Sequence, residues 1–285
     1  MERLRTMSIE EDRKQLVVVK GGGELGTGVA HRLFQEGFKV IITEVEEPRA
    51  ERRTLAYAEA VYEGEHTVEG VTAKLARNPD ECLKILAEGE IAVIVDPEAR
   101  IISRLKPAIV VDARMAKRNL GTRIDEAPIV IGLGPGFKAG KDVHAVVETK
   151  PGLEQGKVIF EGETLPDDGV PYSYFGYTFE RLLVAPASGR FRAVKNIGDR
   201  VKAGETIGFV GDKPVISRIS GVVFGLIHDG VEVEAGKKIG DIIPEEAIAE
   251  ESEIARLKGK PPESYLYTIS ESCLLYTSPS PRDLS

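Results

Sequence analysis

The 285-residue chain has no tryptophan, two cysteines, three methionines and four histidines, and aromatic residues make up 6% of it. Two cysteines build neither a disulfide framework nor a cysteine-based zinc site. His228 has no second ligand at metal-binding spacing, so a metal site is not expected. No apolar run approaches the roughly 20 residues of a membrane span. Met1 to Lys14 is polar and charged, without the apolar core of a signal peptide. Basic residues are outnumbered 38 to 46, a net charge of −8, which argues against a general nucleic-acid or membrane-surface binder. The expectation is a cytoplasmic protein with neither nucleic acid nor membrane among its partners.

What is present starts with an apolar β-branched run, Leu16-Val17-Val18-Val19, as expected of a strand buried on both faces of a parallel sheet. Gly21, Gly23 and Gly26 follow as G-x-G-x-x-G, with Glu24 inside the loop. Glycines there allow a tight turn and let backbone N–H groups approach a pyrophosphate at a helix N-terminus. Leu25, Val29, Leu33 and Phe34 recur at helical spacing, Gly37 closes the helix, and Phe38 to Ile42 reads as the next strand. Glu44 stands where the ribose-binding acid of a dinucleotide site stands, and its charge favours a free 2′-hydroxyl over a 2′-phosphate. Arg49, Arg52 and Arg53 come next and could reverse that preference. They read either as phosphate ligands or as the solvated face of a helix with Pro48 in its first turn.

Val61–Gly64 and Glu69–Ala73 read as short extended pieces, and Asn78-Pro79-Asp80-Glu81 as a capped helix start. Cys82 falls in an apolar helical pattern, which predicts a buried, inert thiol. Ile91–Val95 and Ala108–Val111 are further buried strands, with a short helix at Ala99–Leu105 between them. They end in Asp96 and Asp112, at the carboxyl ends where α/β domains place their chemistry. Ile129–Ile131 runs into a second glycine loop, Gly132, Gly134 and Gly136, which reads as a tight turn or a second close approach to a ligand. His144 lies shortly after it.

The rest of the chain reads as β structure. Val143–Val147 and Lys157–Phe160 predict a small β layer, with a turn at Pro166-Asp-Asp-Gly169. Beyond it the sequence repeats: Gly189, Gly198, Gly204 and Gly208 recur as Gly221, Gly230, Gly236 and Gly240, each 32 residues on. This repeat resembles the flattened barrel-sandwich of biotinyl and lipoyl carrier domains, which attach cofactor to a lysine between the repeats. The corresponding hairpin holds Lys213 followed by proline and reads as an ordinary turn. His228 is expected to be solvated. The predicted organisation is α/β: a Rossmann-like doubly wound parallel sheet at 14–140, a β linker at 141–180 and a barrel-sandwich at 181–244. A terminal helix and loose tail occupy 245–272, and 273–285 resembles a translated sequencing adapter.

Several motifs together resemble the YqeB family: Gly21-Gly-Gly-Glu-Leu-Gly-Thr-Gly-Val-Ala-His-Arg-Leu33, Glu59-Ala-Val-Tyr-Glu-Gly64, Val110-Val-Asp-Ala-Arg-Met-Ala-Lys117, Ile131-Gly-Leu-Gly-Pro-Gly-Phe137 and Asp142-Val-His-Ala-Val-Val-Glu-Thr149. The likeness runs from about Leu16 to Pro244 and departs at Lys150-Pro-Gly-Leu153, where many members carry Arg-Gly-His. The family comprises accessory proteins of the selenium-dependent molybdenum hydroxylase system. The resemblance therefore implies a role in maturing such an enzyme, with the hydroxylase or its maturation machinery as partner. It assigns no catalytic residue. The implied ligand is a nucleotide-type small molecule, either NAD(P) or the molybdenum pterin dinucleotide. Its candidate contacts are Gly21, Gly23, Glu24, Gly26, Glu44, Arg49, Asp112, Gly132, Gly134 and Gly136. The alternative is an NAD(P)-dependent oxidoreductase, for which Asp96, Asp112 and His144 form no distinct acid–base set.

Overall fold

The computed structural model describes residues 16–247. The helix expected from Pro244 to Lys258 begins within the described residues as a strand end at Pro244 and a tight turn at Glu245–Ala247, and its remainder and the segment 273–285 lie outside them. The first unit contains β1 (Leu16–Lys20), α1 (Glu24–Gln35), β2 (Lys39–Glu44), α2 (Ala60–Glu63), β3 (Glu65–Val68), β4 (Val71–Ala76), α3 (Pro79–Ala87), β5 (Ile91–Val95), α4 (Ile101–Leu105), β6 (Ile109–Asp112), β7 (Ile129–Leu133), β8 (Ala145–Val147) and β9 (Val158–Ile159). They form one nine-stranded sheet in the order β3-β4-β5-β2-β1-β6-β7-β8-β9. The interior strands are parallel, and an antiparallel strand closes each edge.

Every residue of β1 is buried, because its side chains alternate between two apolar layers. Val17 and Val19 pack with Leu25, Val29 and Leu33 of α1. Leu16 and Val18 belong to the opposite layer, with Cys82, Ile85 and Leu86 of α3 and Ile101 and Ile102 of α4. The helices thus cover both faces. Asn78 caps α3 as its sequence predicts, its Oδ1 accepting from the N–H groups of Asp80 and Glu81, each at 3.0 Å.

Three local expectations change. Val61–Gly64 is the end of a short helix, closed by Gly64 at φ +86°, and not an extended piece. Pro48 opens no helix: its carbonyl accepts from the Tyr62 hydroxyl at 2.7 Å, and the chain then makes tight turns at Arg53–Leu55 and Tyr57–Glu59. The strands expected between the domains extend the main sheet instead, with β8 parallel to β7 and Val147 buried in the α1 layer.

The second unit holds β10 (Leu182–Val184), β11 (Gly189–Ala193), β12 (Arg200–Val201), β13 (Thr206–Val210), β14 (Lys213–Ile216), β15 (Gly221–Leu226), β16 (Glu232–Val233) and β17 (Lys238–Pro244). They form two four-stranded sheets, β10-β17-β15-β12 and β14-β13-β11-β16. The 32-residue repeat maps β10–β13 onto β14–β17, and under that mapping each sheet becomes the other. Each sheet therefore takes two strands from each repeat. The matched glycines Gly208 and Gly240 explain part of the pattern. A Cβ at Gly208 would lie 2.5 Å from the Arg192 carbonyl oxygen, and one at Gly240 would lie 2.3 Å from that of Gly225.

The overall class is mixed α/β, with one large, mainly parallel sheet and two smaller antiparallel sheets. Gly240→Ala forces backbone apart in the second unit and is expected to cost about 1–3 kcal/mol, read from the midpoint of urea unfolding.

Candidate functional site

The carboxyl edge of the sheet converges on β1. The chain leaves β1 for β2 on one side and later returns to β6 on the other, so the topological switch point lies between β1 and β6. Lys20 and Asp112, the last residues of the two strands, are register partners there. Gly21 follows at φ +93°, and its amide donates to the Thr43 carbonyl at 2.9 Å. Gly23 is the N-cap of α1, so the first turn of a 12-residue helix opens at the sheet edge.

Most of the predicted glycines are filled by protein. A Cβ at Gly26 would sit 2.0 Å from the Gly21 carbonyl oxygen, and one at Gly21 would sit 3.1 Å from Arg114 Cα. In the second loop, a Cβ at Gly132 would meet the Phe137 ring at 2.5 Å, one at Gly134 Thr149 Oγ1 at 2.6 Å, and one at Gly136 Arg118 Cα at 2.5 Å. That loop holds the 113–118 segment close, and the approach it permits is of chain to chain. Gly23 differs: a Cβ there has no neighbour within 4 Å. The open space of the loop is at the helix start.

Glu44 closes the loop from β2. Its Oε1 accepts from the Gly22 N–H at 2.5 Å and its Oε2 from the Val45 N–H at 3.0 Å, leaving each oxygen a second lone pair. Burial raises its carboxyl above the usual range, against the pull of those two amides. Glu24, the first residue of α1, pairs with Arg52. Arg49 stands exposed.

Asp112 belongs to a buried network that the sequence did not reveal. Its Oδ2 accepts from Arg114 Nη2 at 2.5 Å and from Thr122 Oγ1 at 2.6 Å. Lys20 Nζ donates to Thr122 Oγ1 at 2.8 Å and to Glu126 Oε2 at 2.5 Å. Lys20 is 3% exposed, and desolvation holds its ammonium below the ordinary lysine value in spite of Glu126 and Asp112. The one available signal was a lysine ending an otherwise apolar run, immediately before the glycine loop.

The other candidates are structural. Asp96 accepts from the Ile101 N–H at 2.8 Å, at the start of α4. His144 Nδ1 accepts from the Val130 N–H at 3.0 Å, which holds the ring against β7. His228 is not a solvated turn histidine: it stacks on Tyr62 with ring centres 3.9 Å apart, and its Nε2 lies 3.4 Å from Glu59 Oε1. Lys213 is exposed beside a two-residue turn. Arg53 donates from Nε to the Leu226 carbonyl at 2.9 Å, so it joins the two units and does not face the loop as a phosphate ligand. Among the described residues no cluster of three or more His, Cys, Asp or Glu is placed to hold a metal ion. No described helix is long and apolar enough to cross a membrane.

Fold and site together define a mixed α/β protein whose glycine loop opens at the switch point of a mainly parallel sheet, with an antiparallel second unit docked beside it. No family model matches the chain. It is 50% identical over 230 residues to the uncharacterized protein YqeB of Escherichia coli (strain K12), a match covering 81% of this chain and 42% of that protein. The chain therefore spans less than half the length of the curated relative, and the match supports the YqeB relationship read from the motifs. Among solved structures, a succinylglutamate desuccinylase/aspartoacylase from Rhodobacter sphaeroides is 13% identical, covering 79% of this chain and 87% of that one, with a TM-score of 0.23. The ectoine utilization protein EutE from Ruegeria pomeroyi is 12% identical over 81% and 58%, with a TM-score of 0.23. A short chain dehydrogenase from Mycobacterium thermoresistibile is 15% identical over 45% and 54%, with a TM-score of 0.24. At these scores they transfer neither architecture nor chemistry.

Two outcomes follow. Gly26→Ala should lose about 1–3 kcal/mol or more in urea unfolding, whereas Gly23→Asp, an open N-cap position suited to aspartate, should change stability by less than about 1 kcal/mol. Burial pushes the Cys82 thiol up to about 12. The peptide carrying Cys82 should therefore stay unlabelled by iodoacetamide at pH 8 in the native protein and label fully in urea.

Proposed function

We propose that this chain is a YqeB-type accessory protein in the maturation of a selenium-dependent molybdenum hydroxylase. Its first unit is a Rossmann-like domain that holds a nucleotide-type cofactor, and its second is a barrel-sandwich of the biotinyl/lipoyl kind that serves for docking. The observation that carries the binding role is the open space at Gly23, at the first turn of α1 on the switch point. The relationship to YqeB supports the accessory role.

The residues present fit a dinucleotide. The α1 N-terminus suits a pyrophosphate, and Glu44 keeps acceptor capacity for a ribose hydroxyl. Arg53 is committed to the Leu226 carbonyl in the contact between units, which leaves the Glu44 carboxylate charge to disfavour a 2′-phosphate. The favoured ligand carries a free 2′-hydroxyl, which admits NAD and a pterin dinucleotide alike. Lys213 opens β14 beside a two-residue turn and precedes a proline, which suits a scaffold better than a covalent carrier.

Native mass spectrometry of the full chain with molybdenum pterin dinucleotide, NAD and NADP tests this reading. The expected result is retention of the pterin dinucleotide, loss of that complex in Gly23→Asp, and NAD bound at least about tenfold tighter than NADP if both are bound. Turnover of a nicotinamide cofactor would move the assignment to an oxidoreductase. Binding of none of the three would overturn the cofactor role.

A further inference from the structure

The segment from Glu47 to Glu59 lies between the glycine loop and the second unit and touches both. Glu47 pairs with Arg190 at 3.3 Å, Glu51 with Lys238 at 2.5 Å, and Glu59 with Arg53 at 3.3 Å and His228 at 3.4 Å. The Leu226 N–H donates to the Glu51 carbonyl at 2.7 Å, and Arg52 forms a parallel β-bridge to Leu226. Arg52 is thus anchored on β15 by its backbone.

Its side chain reaches the other way as well. The guanidinium pairs with Glu24 at the first residue of α1, while its carbon lies 3.9 Å from the centre of the Phe224 ring. One side chain spans helix start and second unit. A cation at a helix N-terminus opposes the helix dipole, so an anion between the two is favoured there. In this state Glu24 is that anion. Both side chains keep about a fifth of their surface exposed, 22% for Arg52 and 23% for Glu24, so solutes reach the pair. The open space at Gly23 adjoins it in sequence.

We propose that Arg52 is the phosphate-binding residue of the nucleotide site and that a ligand phosphate takes the place of Glu24 on it. This rests on the nucleotide-binding reading above. A guanidinium fork matches phosphate oxygens as it matches a carboxylate, and the two charges of a dinucleotide's pyrophosphate bridge together compete with the single charge of Glu24. Arg52 keeps its ring contact with Phe224 and its bridge to Leu226 throughout the exchange. The bound ligand therefore takes over from Glu24 the link between the first turn of α1 and the second unit, and occupancy of the site reaches the docking unit through that link.

The test is calorimetric titration of the full chain with NAD and with inorganic pyrophosphate, combined with hydrogen exchange at the peptide containing Leu226. Removing the competing carboxylate in Glu24→Gln should tighten binding at least about threefold, and Arg52→Gln should weaken it at least about tenfold. Arg52→Lys keeps the charge without the fork or the ring stacking, and should bind while transmitting less protection. Ligand should slow exchange at Leu226 in the wild type and leave it unchanged in Arg52→Gln. Glu24→Gln carries the decision, because it leaves the anchored arginine in place. If the wild type binds either probe and Glu24→Gln does not bind more tightly, or Leu226 exchange ignores the ligand, the exchange is overturned and nucleotide binding stands. If neither wild type nor Glu24→Gln binds NAD or pyrophosphate, the exchange is overturned too. Retention of the pterin dinucleotide alone in native mass spectrometry would then leave the cofactor role standing.

Discussion

Helix α1 rests on the end of β1 at a separation that admits no side chain. The Gly26 α-carbon faces the Gly21 carbonyl so closely that a methyl group would stand 2.0 Å from that oxygen. This contact fixes where the helix begins, and the rest of the site follows from it. Because α1 starts there, Gly22 presents its N–H to Glu44 and Thr27 Oγ1 donates to the Gly22 carbonyl at 2.9 Å. Thr27 Oγ1 in turn accepts from the Tyr57 N–H at 2.9 Å, which brings the Arg53–Glu59 turns against the helix and the second unit with them.

Charge is distributed accordingly. The chain is acidic overall, yet Lys20, Arg52, Arg53 and Arg114 gather around the carboxyl edge of the sheet, each matched to a carboxylate or a carbonyl. Buried ions left unmatched would be costly. Lys20 and Asp112 share Thr122 as a neutral intermediary, which satisfies both without direct contact. Among the described residues the edge is thus a set of closed networks, beside which the position of a Gly23 Cβ stays open.

Much of this could be read from the chain because it is local. The Leu16–Val19 run, the Asn78–Pro79 cap and the 32-residue glycine repeat each depend on residues near one another, and each has one favoured geometry. What was illegible depends on distant partners. Arg53 reads as a phosphate ligand until Leu226 takes its Nε–H, and nothing within a window of a few residues announces that. Val61–Gly64 has β-branched and aromatic residues that suit a strand, but the preceding turns and Gly64 close a helical turn there. The second glycine loop is legible at the end of β7, but its tightness serves Phe137, Thr149 and Arg118, contacts that only the folded chain defines. Lys20 was overlooked because a lysine at the end of an apolar strand ordinarily reaches solvent.

The exchange of strands between the two repeats also has a consequence for biosynthesis. β10 finds its neighbour in β17, and β11 pairs with β16, so no four-stranded sheet of the second unit is complete until its last strand exists. On a ribosome adding about 5–20 residues per second, the first repeat waits several seconds with Phe191 and Ile207 uncovered. The first unit faces no such wait, since all nine of its strands precede the repeats. Vectorial synthesis would deliver a finished sheet with its glycine loop, against which the later half closes.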